Sequence, residues 1–178
     1  MYWPKLSSQK VKHKIFESLS KNANYRSEQI LGIPGTYLDT EVFYDDAPFL
    51  KDAPFLSMFI ANPNNPTGTY NSKTEVESFL ARLGNREDVL LVFDEAYVEF
   101  ARATDYVPAQ TYLQKYQNLA VMRTFSKAYG IAGLRVGALL AAPEIIEIYN
   151  RVRKPFNCSA IAQVAARAAI RDFQFIES

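Results

Sequence analysis

Val89-Leu90-Leu91-Val92-Phe93-Asp94-Glu95 decides the fold. Five consecutive apolar residues with no polar alternation predict a strand buried on both faces, and such strands belong to parallel sheets covered by helices. The run ends on two carboxylates, so its carboxyl end points to a polar edge. Working outward, Lys73–Leu83 places Val76, Phe79, Leu80 and Leu83 on one helical stripe, and Gly84-Asn85 stops it. Before that helix lies a short apolar strand, Met58-Phe59-Ile60-Ala61. Beyond the central run, Thr111–Tyr116 predicts a short helix, Leu119-Ala120-Val121-Met122 a third strand and Arg135–Leu140 a fourth. Two further helices follow: Pro143–Arg153 opens with a proline in its first turn, and Ser159–Asp172 opens with a serine cap. Strands alternating with amphipathic helices predict an α/β domain with a mostly parallel sheet over residues 57–178.

Residues 1–56 read differently, as an N-terminal arm. Val11, Ile15 and Leu19 recur at helical steps, and Asn22 and Asn24 favour a stop. Gly32-Ile33-Pro34-Gly35 is turn chemistry. Asp46-Ala47-Pro48-Phe49-Leu50 is repeated as Asp52-Ala53-Pro54-Phe55-Leu56, and the prolines disfavour helix just before them. The expectation for 32–57 is an extended, aromatic-rich segment that packs on something else.

Composition removes several classes of function. The chain has 178 residues, with 20 basic and 19 acidic side chains, so its net charge is +1. Without a basic block, nucleic-acid binding through phosphates is not expected. No apolar run is long enough for a transmembrane helix, and the first residues lack the apolar centre of a signal peptide. One cysteine, Cys158, excludes an internal disulfide; together with one histidine, His13, it argues against an ordinary zinc site. Cys158 reads as a small, partly buried thiol and His13 as solvated. The expectation is a cytoplasmic globular protein without a metal.

In parallel α/β sheets, ligands sit outside the carboxyl ends of the strands. Here three successive strands deliver Asn64-Asn65, Asp94-Glu95 and Ser126-Lys127 to that edge. A strand-end lysine beside apolar walls loses its proton more readily and then acts as a nucleophile toward an aldehyde. A carboxylate pairs with a protonated ring nitrogen, and serine with arginine holds a phosphate. Aldehyde, basic ring nitrogen and phosphate together describe pyridoxal phosphate. Taken singly, each residue has a blander reading. Asn65 suits a turn before Pro66, Asp94-Glu95 an exposed strand end or half of a hydrolase acid pair, and Tyr97 a core position.

Three motifs carry a resemblance beyond this chemistry. Asn62-Pro63-Asn64-Asn65-Pro66-Thr67-Gly68, Phe93-Asp94-Glu95-Ala96-Tyr97 and Thr124-Phe125-Ser126-Lys127 through Arg135-Val136-Gly137 resemble the cofactor motifs of fold-type I aminotransferases. With Val98-Glu99-Phe100 and Arg153-Lys154-Pro155-Phe156-Asn157 they are most similar to the histidinol-phosphate aminotransferase family, over about residues 57–172. The resemblance implies a partial cofactor-binding large domain whose first three strands are parallel and whose fourth is antiparallel. It implies that Lys127 is the Schiff-base lysine and proton carrier, and that Asp94 keeps the pyridine nitrogen protonated. It further implies that Asn65 and Tyr97 bond the ring 3-oxygen, that Ser126, Arg135 and Thr124 bind the phosphate, and that Asn157 faces the substrate. The implied partners are an amino donor, histidinol phosphate, and a 2-oxo acid, 2-oxoglutarate, with a homodimer or a completing chain.

Complete members carry a phosphate-binding loop at a helix start, an aromatic stacked on the ring and a C-terminal arginine for the substrate carboxylate. None of these is recognisable here; Tyr25, Tyr37, Tyr44, Arg167 and Arg171 are not evident substitutes. The arm segments Asn22–Tyr25, Leu31–Gly35 and Tyr37–Asp39 resemble the start of pyridoxal-phosphate decarboxylases related to glutamate decarboxylase. The expectations are therefore an aminotransferase weakened by missing parts, a cofactor-binding fragment without turnover, or a structural, dimerising fragment. Both edges of the four-stranded sheet are expected to need cover, from the arm or from another chain.

Overall fold

The computed structural model describes residues 30–33, 56–84 and 86–177. The Val89–Asp94 run lies at the centre of a five-stranded sheet, ordered β1 (Ile30–Ile33), β2 (Leu56–Ala61), β3 (Val89–Asp94), β4 (Leu119–Thr124) and β5 (Gly137–Ala141). β1 to β4 are parallel and β5 runs antiparallel to β4. Val89 to Phe93 are all buried, as an uninterrupted apolar strand requires.

β1 was not expected. The Gly32-Ile33 half of the anticipated turn is strand, pairing with Phe59 and Ile60 of β2. The edge of β2 offers a row of unpaired backbone donors and acceptors, and this pairing outweighs local turn propensity. The arm therefore covers one of the two sheet edges. The helix expected at Val11–Leu19, His13, the three arm tyrosines and the duplicated segments, apart from Leu56, lie outside the described residues.

The first long helix, α1 (Lys73–Leu83), begins at a capping box. The Ser72 hydroxyl accepts from the Glu75 N–H at 3.4 Å, and the Glu75 carboxylate accepts from the Ser72 N–H at 2.7 Å. Caps of this kind stabilise a helix by about 1 kcal/mol. Its expected stripe, Val76, Phe79, Leu80 and Leu83, packs on Met58, Ile60, Leu91, Phe93 and Val121 to form the main core. Phe79 meets Phe93 edge to face, with ring centroids 6.3 Å apart. At Gly84 a side chain would collide with the Tyr116 ring and the Leu80 carbonyl, which explains the glycine at this helix end.

β3 and β4 are joined by two 3-10 turns, Val98–Phe100 and Ala109–Tyr112, where a short helix was expected at Thr111–Tyr116. On the opposite sheet face, Ile145 and Ile148 of α2 (Pro143–Val152) pack on Leu90, Val92 and Ala120. A cavity of about 610 Å³ opens there, walled by Phe59, Met122 and Leu139 among others. The last expected helix is two: α3 (Ala160–Ala169), capped by Ser159, and the short α4 (Phe173–Glu177). They leave Ile161, Val164 and Phe173 exposed. No helix among the described residues is long and apolar enough to cross a membrane.

Candidate active site

Sheet register puts three strand ends side by side: Ala61 is level with Asp94, and Asp94 with Met122. The ladder continues past them, with the Asn62 N–H donating to the Asp94 carbonyl and the Glu95 N–H to the Met122 carbonyl, both at 3.0 Å. Asp94 is thus fixed in the middle of the edge. Its carboxylate accepts the Ala96 N–H at 3.1 Å, turning the chain into the segment that carries Tyr97. The Asn65 amide, from the β2 side, donates to the Tyr97 hydroxyl at 2.9 Å. From the β4 side, the Lys127 ammonium lies 5.3 Å from the centre of the Tyr97 ring. Residues far apart in sequence, on three strand ends, meet at one phenol. Lys127 is exposed, with an aromatic ring beside it where apolar walls were expected.

The segment expected to hold phosphate is built more loosely. Thr124 accepts the Ser126 N–H on its hydroxyl at 3.1 Å, and the Gly130 N–H closes on the Lys127 carbonyl at 3.0 Å with a positive φ of 69°. Left-handed backbone there favours glycine. Arg135 is also left-handed, at φ 50°, and its guanidinium donates to the Ala132 carbonyl at 3.0 Å on an exposed surface. The Asn157 carbonyl oxygen accepts from Arg153 at 2.8 Å. Arg135 and Asn157 line the 610 Å³ cavity, whereas Asn65 and Tyr97 line a separate hollow of about 430 Å³. The structure therefore brings Asn65, Tyr97 and Lys127 together beside Asp94, and joins Thr124 to Ser126. Arg135 and Asn157 make their hydrogen bonds elsewhere.

Several contacts of this edge had no sequence signal. Glu95 is fully buried, contrary to the exposed strand end its position allowed. Its carboxylate lies 2.7 Å from the Arg123 guanidinium and accepts the Ala109 N–H. Burial pushes the Glu95 carboxyl up, against the lowering effect of the Arg123 charge and the Ala109 N–H. Arg123 reaches Glu99 as well, at 3.3 Å. The Tyr106 hydroxyl donates to the Asn62 carbonyl at 3.0 Å, and burial followed by the Glu95 charge raises that phenol well above its ordinary range. The one available hint was Arg123 itself, a charge inside an otherwise apolar strand.

The donor set suits one kind of ligand. A carboxylate fixed at the centre of the edge matches a cationic ring nitrogen. An amide and a phenol already bonded to each other match a ring oxygen, and a primary amine over that phenol matches an aldehyde. Two hydroxyl residues and an arginine close in sequence to the amine match a phosphate. These residue types, at the carboxyl edge of an α/β sheet, fit pyridoxal phosphate. The chain belongs to the family of class I and II aminotransferases, whose description matches residues 50–178. It is 62% identical over 120 residues to a histidinol-phosphate aminotransferase of Bdellovibrio bacteriovorus, an overlap of 67% of this chain and 32% of the relative. The chain thus spans about a third of the length of the curated relatives it matches. In fold it is similar to the Sinorhizobium meliloti histidinol-phosphate aminotransferase solved in complex with pyridoxal-5'-phosphate, with a TM-score of 0.67 and 24% identity over 96% of this chain and 57% of that one. An L-threonine-O-3-phosphate decarboxylase from Porphyromonas gingivalis is also similar, with a TM-score of 0.63 and 24% identity over 93% of this chain and 53% of that one. The fold is therefore shared by two chemistries.

Proposed function

We propose that this chain carries the cofactor-lysine part of a pyridoxal-phosphate aminotransferase acting on histidinol phosphate with 2-oxoglutarate. The observation that carries this reading is the meeting of Asn65, Tyr97 and Lys127 beside Asp94. The high identity to a histidinol-phosphate aminotransferase supports the choice of amino donor over the decarboxylase chemistry found on the same fold. When bound, the cofactor supplies an electron sink that makes a substrate Cα proton removable. Asp94 holds a proton on the ring nitrogen. Asn65 and Tyr97 would hold the ring through its 3-oxygen, and Lys127 would take up and return the substrate Cα proton at Nζ. Ser126, Thr124 and Arg135 bind the phosphate, and Asn157 faces the substrate. The proposed setting is amino-acid biosynthesis in the cytoplasm, with a second copy or a completing chain at the site.

We further propose that the chain by itself binds the cofactor weakly and turns over little. Arg135 gives one donor to the Ala132 carbonyl and lines a different cavity from Asn65 and Tyr97, which leaves few donors toward a doubly charged phosphate at the ring site among the described residues. Each hydrogen bond to a charged group is worth about 1.5–3 kcal/mol, so a phosphate short of two or three binds weaker by roughly two to six orders of magnitude. The test is an absorbance spectrum of the chain with pyridoxal phosphate, repeated after adding histidinol phosphate. A lysine-bound band that appears and then barely shifts is expected. A band that converts fully to the pyridoxamine form at an ordinary enzymatic rate would overturn the weak-turnover reading, and no band would overturn the cofactor assignment.

A further inference from the structure

Glu95, Tyr97 and Glu99 alternate along the turn after β3, and Arg123, Lys127 and Tyr129 follow one another along β4 and its loop. The two sets interlock. Arg123 lies 2.7 Å from Glu95 and 3.3 Å from Glu99, and Glu99 is close enough to the Tyr129 hydroxyl that, after burial, its charge holds that phenol's proton more tightly. The flanks of Tyr97 are thereby tied to the flanks of Lys127. We infer that the Glu95–Arg123–Glu99 cluster is a positioning device that holds Lys127 against Tyr97 before any ligand arrives. The inference rests on the proposed role of Lys127.

Simple stabilisation is a poor explanation for this cluster. Glu95 is fully buried, and only 18% of the Arg123 side chain is exposed. Taking two charges out of water costs several kcal/mol per ion, and apolar replacements of such pairs are often neutral or stabilising. What the pair supplies and an apolar contact does not is direction. The guanidinium is a rigid fork that donates to Glu99 on one side of Tyr97 and pairs with the Glu95 charge on the other. The backbone ladder cannot do this work, because its last bond here, from the Glu95 N–H to the Met122 carbonyl, stops short of both Tyr97 and Lys127.

The experiment is hydrogen exchange, read peptide by peptide, on the full chain without cofactor. The triple variant Glu95→Gln, Glu99→Gln and Arg123→Met removes the tie without stranding a buried charge. It is expected to speed exchange over residues 96–100 and 125–130 by about tenfold or more, the scale of one charged hydrogen bond, while residues 58–60 and 90–92 stay unchanged. Glu99→Gln, at a more accessible position, should loosen the same two segments by a smaller factor. It decides the matter by the same criterion if the triple variant does not fold. Unchanged exchange in the two segments, or equal acceleration across the whole sheet, overturns the inference. Cofactor capture separates this inference from the proposed function. A wild-type chain that captures pyridoxal phosphate at Lys127 while the variants show no local loosening overturns the cluster's role alone. Local loosening in variants of a chain that captures none supports the positioning device and counts against the function.

Discussion

The two ends of the candidate site are held by different kinds of structure. At the ring end, sheet register fixes Asp94, and side-chain contacts between different strand ends bring Asn65, Tyr97 and Lys127 together beside it. At the phosphate end, Thr124 and Ser126 share a local turn, and Arg135 bonds to the carbonyl of its own loop. Long-range sheet pairing organises side chains without help from a ligand. A loop closed on itself spends its donors internally. The ring end is therefore expected to be ready in the isolated chain, and the phosphate end to depend on donors from elsewhere.

The largest effect should come from the ring end. Asp94→Asn is expected to keep the fold yet slow cofactor-promoted exchange of a substrate Cα proton by about a hundredfold or more, followed by NMR in deuterated water. Unchanged exchange would show that another residue serves the ring nitrogen. Tyr97→Phe removes the partner of Asn65 and should weaken cofactor binding by roughly ten- to a hundredfold in an absorbance titration. Arg135→Ala, at the looser end, should cost less than Tyr97→Phe in the same titration, because Arg135 lines a different cavity from the ring-end residues. An Arg135 effect larger than that of Tyr97 would invert the comparison.

A smaller effect concerns stability at alkaline pH. Half-buried Tyr106 holds its proton more tightly folded than unfolded, so its contribution is complete below the ordinary tyrosine value of about 10 and is lost as pH rises above it. Urea melts of Tyr106→Phe should show a shallower decline above that pH than wild type. Parallel curves would mean that Tyr106 does not titrate with unfolding.

Much of this was legible in the sequence where the signal is periodic or contiguous. The Val76–Phe79–Leu80–Leu83 stripe and the Val89–Phe93 run foretold α1 and β3, because burial on one or two faces writes itself into spacing. β1 was hidden, since Gly32 and Pro34 read as a turn and only the open edge of β2 makes Ile30–Ile33 a strand. β4 ends at Thr124, close to where its apolar run Leu119–Met122 gives way to the Ser126-Lys127 motif. The ring-end residues were legible as motifs at strand ends. The Glu95–Arg123 pair was not, because nothing local marks two distant charges as mutual partners or Glu95 as buried.

The most direct test of the account is the site of covalent capture. The full chain is incubated with pyridoxal phosphate, reduced with borohydride and mapped by peptide mass spectrometry. If sheet register and the Tyr97 contact make Lys127 the cofactor lysine, the label lies on Lys127, and Tyr97→Phe lowers its yield. A label spread over Lys73, Lys115 and Lys154, with Lys127 no more modified than they are, would contradict the account.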